Sequence, residues 1–272
     1  MQLFSFSSYV DREYAPELID CWQQSRLLAQ ALQEHAGSVY CPLCKHVSSL
    51  KLPPGVIDPR EHMCCEVCGL SSRLRAGICL MYDLAPDATR IYMTEQATPA
   101  FASMQKRHPD MLGSEFQPDS EARRLLSRHL AALGGHGEVQ FQDVTALSFD
   151  DGSLDVVLSF DVLEHIPDYR VALAEFARTL APGGICIATF PFTDTPRTCT
   201  RARLTPQGEV EHLLEPEYHG DPISGGVLCF YHFGWDVLDA AAKAGFSSAK
   251  MVMPWDLQSG FYYGLWTMVA RR

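Results

Sequence analysis

Four of the ten cysteines come as two pairs with the spacing of metal ligands. Cys41-Pro42-Leu43-Cys44 and Cys65-Glu66-Val67-Cys68-Gly69 each put two thiols on one tight turn, with about twenty residues between the turns. Two residues between cysteines let both thiolates face a single ion while the amides of the turn hydrogen-bond the sulfurs. A second such turn completes a tetrahedron, and Gly69 permits the tight return. The spacing predicts a zinc ribbon holding one structural Zn2+ on Cys41, Cys44, Cys65 and Cys68, closed and without an open position for chemistry. Cys64 adjoins Cys65 but breaks the spacing, and His46 and His62 are weaker ligand candidates. The stretch SSLKLPPGVIDPREHM between the pairs has little to bury, so a metal would supply its folding energy. A redox C-x-x-C is the competing use, and two pairs with proline and glycine in the turns disfavour it. Arg73, Arg75, Lys45 and Lys51 offer either a basic patch for an anionic partner or an ordinary solvated face.

A second chemical group lies late in the chain. From Thr193 to about residue 230 the sequence is rich in proline, glycine, histidine and acids, and reads as an irregular insertion after a strand. His212, Glu215, Glu217, Tyr218, His219, Asp221 and His232 gather there. Histidines among carboxylates suit a general base, or a second metal site; the plain alternative is a lid whose polar groups satisfy one another. We expect a lid over 193–230 that selects the substrate, with Glu217, Tyr218, His219 and His232 as candidates for a catalytic base.

These groups need a scaffold, and Phe149 to Phe192 describes one. Leu154 to Phe160 is a short valine-containing apolar run, suited to a strand buried on both faces of a parallel sheet. Asp168 caps a helix with apolar positions at Val171, Leu173, Ala174, Phe176, Ala177 and Leu180, Leu173 lying between the stripes. Pro182-Gly183-Gly184 ends it and leads to a strand from Ile185 to Phe190. Strand, crossover helix and strand make a βαβ unit, and such sheets bind ligands beyond the carboxyl ends of their strands.

DGSLDVVLSFDVLEHIPD followed by LAPGGICIATFPF closely resembles the second half of class I S-adenosylmethionine-dependent methyltransferases, type 11-like, here behind an N-terminal zinc-ribbon module. The strong match covers about forty residues, and a weaker one extends over most of the chain after Ala88. The resemblance implies a Rossmann-like, doubly wound, seven-stranded and mostly parallel α/β sheet. It also implies S-adenosyl-L-methionine as cofactor. In that family a glycine-rich loop follows the first strand, here Arg90 to Thr94, whereas this chain has Glu95-Gln96-Ala97-Thr98-Pro99. By resemblance, Thr94, Glu95 and Gln96 would hold the amino-acid end of the cofactor. Glu115, ending a strand at 111–116, would take the ribose hydroxyls, and Asp143 with Val144, after a strand at 138–142, would take the adenine. Ser159, Phe160 and Asp161 would flank the sulfonium.

The rest of the chain supports this layout. Residues 1–38 read as a loose start and then a helix from Pro16 to about His35; 39–70 are the ribbon, 71–88 a linking helix, and 89–272 the main domain. A helix from Trp235 to Ala244 precedes two last strands, 247–254 and 263–271, expected as an antiparallel hairpin at the sheet edge. The aromatic residues Trp255, Phe261, Tyr262, Tyr263 and Trp266 suit hairpin packing more than a wall for a planar substrate.

A hydrophobic content of 47% in 272 residues suffices for a large core, and no apolar run reaches the length of a membrane helix. The start, MQLFSFSSYVDREY, lacks the basic region of a signal peptide, which with ten cysteines points to the cytoplasm. A net charge of −11 argues against a broad nucleic-acid surface, although a local one stays open. The expected activity is methyl transfer to a small molecule or glycan at oxygen. The alternatives are an RNA or protein methyltransferase reading its target through the ribbon, and a non-catalytic binding protein with a degenerate cofactor loop. Oligomeric state is not legible.

Overall fold

The computed structural model describes every residue except 57–58 and 221–225. Its elements begin with β1 (Gln2–Phe6), α1 (Tyr9–Glu13), α2 (Glu17–Glu34), β2 (Gly37–Cys41), β3 (His46–Leu50) and α3 (Ser72–Leu84). Next come β4 (Ile91–Met93), α4 (Pro99–Gln105), β5 (Leu112–Gly113), α5 (Ser120–Ala132), β6 (Leu154–Phe160), α6 (Tyr169–Thr179) and β7 (Leu180–Thr189). Six short strands follow: β8 (Cys199–Thr200), β9 (Ala202–Leu204), β10 (Val210–His212), β11 (Tyr218–His219), β12 (Val227–Leu228) and β13 (Tyr231–His232). Helix α7 (Val237–Lys243) and strands β14 (Ser248–Trp255) and β15 (Thr267–Arg271) end the chain. Seven strands form one mixed sheet in the order β1-β14-β15-β7-β6-β4-β5, the Rossmann-like α/β architecture expected. The chain divides into two compact units, Met1–Pro86 with Met251–Thr267, and Asp87–Lys250 with Met268–Arg272.

The membership of the sheet differs from expectation at both ends. The stretch 138–142 is no ladder strand: it contributes one isolated parallel bridge, Phe141 with Glu115. The N–H of Gln140 is taken instead by the side-chain oxygen of Gln96 at 2.8 Å, which competes with strand pairing. The seventh place belongs to β1, from the stretch expected to be loose. It pairs antiparallel with β14 from Gln2 opposite Trp255 to Phe6 opposite Met251, and it buries the alternate side chains Phe4 and Phe6. The last two strands are therefore not the edge.

In the second unit β4, β6 and β7 pair in parallel, and β15 runs antiparallel to β7. Val156, Val157 and Leu158 are fully buried, as a strand covered on both faces requires. Asp168 caps α6 by accepting from Arg170 N at 3.3 Å, and the helix buries Ala172, Leu173, Phe176 and Ala177. The helix stops at Thr179 and β7 starts at once, with Gly183 at φ 82°. The insertion is not irregular. Its described residues form three two-stranded antiparallel ladders, β8 with β13, β9 with β10 and β11 with β12.

The first unit has its own core of Leu32, Val39, Leu50, Leu52, Met63 and Tyr262. Phe261 and Tyr262 are buried, Tyr262 in this core rather than in the packing of a terminal hairpin. Arg75 is no surface cation. It is fully buried, and its guanidinium donates to the carbonyls of Ser259 at 2.9 Å and Met63 at 3.1 Å, beside the Phe261 ring. Arg73 is paired with Glu61 at 2.5 Å, so no basic patch forms around these two. Among the described residues no helix is long and apolar enough to cross a membrane.

Replacing Arg75 strands buried carbonyls as well as removing a charge. Arg75→Met is expected to lower unfolding free energy by about 3 kcal/mol, read from urea denaturation. Arg75→Lys should recover little, because a single ammonium cannot span carbonyls that the planar fork reaches together.

Candidate functional site

Strand β4 lies between β5 and β6, so the chain leaves it on one side and returns on the other. The crevice beyond the carboxyl ends at such a reversal is the ligand position of open α/β sheets. Residues 94–96, 114–115 and 161 follow these three strands directly.

Thr94 N continues the ladder by donating to Leu158 O at 3.0 Å. Glu95 then reaches across to β6. Its Oε1 accepts from Phe160 N at 3.0 Å, and its Oε2 accepts from the Thr94 hydroxyl. Glu115 reaches back in the opposite sense, its Oε1 accepting from Ala97 N at 2.7 Å. Gln96 is buried, and its amide is committed to backbone: Nε2 donates to Glu138 O at 3.2 Å while Oε1 accepts from Gln140 N. Thr98 caps α4, accepting from Phe101 N at 3.3 Å, with Pro99 opening the helix. The glycine missing from this loop has a counterpart on the next strand. A Cβ on Gly113 would lie 2.4 Å from Phe101 Cε2 and 2.8 Å from Gln96 Cγ, so only glycine lets the loop and α4 close against β5.

Asp143 opens a turn, its Oδ1 accepting from Thr145 N at 2.8 Å and from the Thr145 hydroxyl at 2.6 Å; Val144 beside it is buried. Ser159 and Phe160 are buried at the end of β6, and the Ser159 hydroxyl has no hydrogen-bond partner among the described residues. Asp161 sits at φ 59°, a left-handed position that a non-glycine residue keeps only when it is held. Thr189 holds it: Asp161 N donates to Thr189 O at 2.9 Å, and the Thr189 hydroxyl donates to Asp161 Oδ1 at 2.9 Å.

Three residues beyond Asp161 begins a second polar group. Glu164 is fully buried, and among the described residues neither carboxylate oxygen has a hydrogen-bond partner of good geometry. His219 Nδ1 lies 3.4 Å from Glu164 Oε1 and His165 Nε2 lies 3.7 Å from it. His219 Nε2 meets Glu217 Oε1 at 3.0 Å, His232 Nε2 meets the same oxygen at 3.0 Å, and Arg201 pairs with Glu217 Oε2 at 3.1 Å. Burial pushes the Glu164 carboxyl up, and His219 is pushed up to about 11 by Cys229 and the carboxylates that flank it. Of the expected lid residues, Glu217, His219 and His232 come together, whereas Tyr218 is 60% exposed. His212 and Glu215 are exposed on the outside of the ladders, and Asp221 lies outside the described residues. The sequence reading missed Glu164, His165 and Arg201 as members of this group. Glu164 and His165 were visible only as part of the loop after β6, some fifty residues before their partners.

In the first unit the four expected cysteines come together, with one sulfur from each of Cys41, Cys44, Cys65 and Cys68 within 4.8 Å of the others. The two turns share a geometry. Lys45 N donates to Cys41 O and Gly69 N to Cys65 O, both at 2.8 Å, and Lys45 and Gly69 are both left-handed, at φ 53° and 70°. Val67 N donates to Cys65 Sγ at 3.4 Å, and the Ser48 hydroxyl donates to it at 3.6 Å. Cys64 donates to Glu61 O and His46 pairs with Glu66, so neither joins the group.

Residues 103–188 match the family described as "Methyltransferase domain". Over those residues the chain is similar to a methyltransferase domain. The matched stretch spans β5, β6 and nearly all of β7, and so includes Glu115 and Asp161 beyond their strands and Asp143 in the turn after 138–142. The chain is similar to a Mycolicibacterium smegmatis protein named "Probable S-adenosylmethionine-dependent methyltransferase", 29% identical over 142 residues, which are 48% of this chain and 54% of that one. A stretch of 45 residues is 49% identical to 2-methyl-6-phytyl-1,4-hydroquinone methyltransferase of Synechocystis, covering 16% of this chain and 14% of that protein. The chain thus spans about half, or less, of these relatives' length. Among solved structures, an amino pentose methyltransferase from Micromonospora echinaspora aligns with a TM-score of 0.48 at 20% identity, over 74% of this chain and 92% of that chain.

The crowding at Gly113 makes a measurable expectation for the second unit. Gly113→Ala should lower stability by about 1–3 kcal/mol in urea denaturation, because Gln96 and Phe101 must both move.

Proposed function

We propose that the chain is an S-adenosylmethionine-dependent methyltransferase acting at oxygen on a small-molecule or glycan acceptor, and that its cysteine turns hold one structural Zn2+. The observation that carries the reading is that the methyltransferase-domain match falls on β5 and β6, whose carboxyl ends lead to Glu115 and Asp161, and on the turn opened by Asp143.

The residues present suit the cofactor. Carboxylates end the strands where a ligand's hydroxyl and amino groups need acceptors, and the buried Ser159 hydroxyl is unpartnered there among the described residues. Glu115 would take the ribose hydroxyls, and Asp143 the adenine amine with Val144 as its apolar wall. Thr94 and Glu95 would hold the amino-acid end, with Gln96 acting through the loop it braces rather than by its amide. Ser159, Phe160 and Asp161 would flank the sulfonium. Bound S-adenosylmethionine supplies an electrophilic methyl group.

The chain's own work is to align the acceptor, exclude water and take the proton from its hydroxyl. Among the four base candidates, Glu217 already faces Arg201 and two imidazoles, His219 lies between two carboxylates, and Tyr218 points into solvent. That leaves His232 as the base we favour, with Glu217 orienting it. The polar, charge-paired group beneath the insertion supports an acceptor with hydroxyl groups.

The four thiols suit Zn2+ by the same kind of argument. Four sulfurs converge on one point, and N–H and O–H donors already face Cys65 Sγ.

Calorimetry with S-adenosylhomocysteine should show binding at one site per chain, weakened about 10-fold or more in Glu115→Ala through loss of charge-assisted hydrogen bonds. A folded, zinc-loaded sample that binds neither it nor S-adenosylmethionine would overturn the enzyme reading. His232→Ala should leave that affinity unchanged and slow single-turnover methyl transfer by about 10²–10⁴-fold. For the ribbon, elemental analysis should find one zinc equivalent that Cys65→Ser removes, together with a lower melting temperature.

A further inference from the structure

Glu164 presents a problem that the methyl-transfer reading does not solve. Its carboxylate is fully buried, and among the described residues neither oxygen accepts a hydrogen bond of good geometry; only imidazoles face it, at 3.4 and 3.7 Å. A buried carboxylate is costly, and such groups are found paired or on metals. Two imidazole nitrogens face it, His165 Nε2 and His219 Nδ1, and one ligand atom from each of the three residues lies within 4.8 Å of the others. The measured edges, 3.4 Å from Glu164 Oε1 to His219 and 3.7 Å to His165, are close to the roughly 3.3–3.5 Å between neighbouring ligands about 2.0–2.1 Å from a tetrahedral zinc.

The opposite nitrogens are also arranged as a metal site needs. Metal-bound histidines donate their other N–H to a carboxylate or a backbone carbonyl, which fixes the ring and its tautomer. Here His165 Nδ1 meets Leu228 O at 2.9 Å, and His219 Nε2 meets Glu217 Oε1 at 3.0 Å. Both outer partners are therefore in place, one of each kind. The neighbouring trio of Glu217, His219 and Cys229 is less suited. The Cys229 thiol donates to Tyr231 O, and Glu217 already serves two imidazoles and Arg201.

We propose that Glu164, His165 and His219 form a second metal site, distinct from the cysteine cluster, that takes a divalent cation of the zinc type and leaves a coordination position open. Two imidazoles and one carboxylate suit Zn2+ and its spectroscopic substitute Co2+, and three protein ligands are the pattern of sites that bind an exchangeable oxygen ligand. That the open position holds an acceptor oxygen rests on the methyl-transfer reading; the metal site itself does not.

The test is metal stoichiometry on the full chain, stripped with chelator and reloaded with Zn2+ or Co2+ at neutral pH. Two equivalents per chain are expected. The cysteine site should give the intense near-ultraviolet charge-transfer bands of Co2+–thiolate, while the second equivalent should add only weak visible bands. Glu164→Gln and, separately, His165→Ala should each lose the second equivalent and keep the first. Glu217→Gln should weaken the second metal about 10–100-fold through its effect on His219. The rival arrangement is a metal-free ion group in which a charged His219 bridges Glu164 and Glu217. It predicts one equivalent in the wild-type chain, abolished only by cysteine substitution, and that result would overturn the proposal. Binding of S-adenosylhomocysteine, read on the same samples, separates failure of the metal site from failure of the methyltransferase reading.

Discussion

At the carboxyl ends of parallel strands the backbone runs out of ladder partners, and its N–H groups must find acceptors. In this chain two glutamates answer that need. Glu95, after β4, accepts from Phe160 N on β6, and Glu115, after β5, accepts from Ala97 N in the loop after β4. The two carboxylates tie the three strand ends together. They also bring negative charge to the crevice beyond the strand ends. Glycine-rich loops reach a similar end by backbone alone; here side chains do the holding, and the one glycine required is Gly113 on the neighbouring strand.

The insertion after β7 obeys a comparable rule. Its three ladders are short, and two-stranded ribbons of that size are marginal in water. They are anchored at their roots. Trp235 Nε1 donates to Asp194, Thr198 is held by Asp236 through both its N–H and its hydroxyl, and Gly234 lies against the backbone of Arg197, where a Cβ would fall 2.4 Å from the Arg197 carbonyl carbon. Phe230 N donates to Glu164 O, and the Tyr231 hydroxyl donates to Pro167 O, so the insertion is stitched to the loop beyond β6. That stitching brings His219 to Glu164 and His165. The polar group is a product of anchoring as much as of composition.

In the first unit a buried cation takes the organising part. Arg75 joins the carbonyls of Met63 and Ser259, from segments far apart in sequence, in a region with a modest apolar core. The two cysteine turns lie in the same unit and repeat one backbone geometry. Small cores of this kind commonly need a metal or disulfides, and here four sulfurs lie within 4.8 Å of one another.

Sequence alone determined the elements whose signals are local. The buried strand at Leu154–Phe160, the helix capped by Asp168 and the cysteine turns each depend on periodicity or spacing within a few residues, and so did the resemblance to methyltransferases. Tertiary structure decided what depends on distant partners. Residues 138–142 carry a strand-like pattern, yet Gln96 captures the Gln140 N–H and the ladder does not form. Gln2–Phe6 has no strong pattern, but β14 offers it an edge and its two phenylalanines a buried face. Arg75 looked solvated because no local feature announces the two carbonyls waiting in an interior. Glu164 and His219 stand 55 positions apart, and only the folding of the insertion onto the loop after β6 makes them neighbours. Local hydrogen bonding and apolar period can be read along a chain. The pairing of buried polar groups cannot, because each group's partner is chosen by the topology.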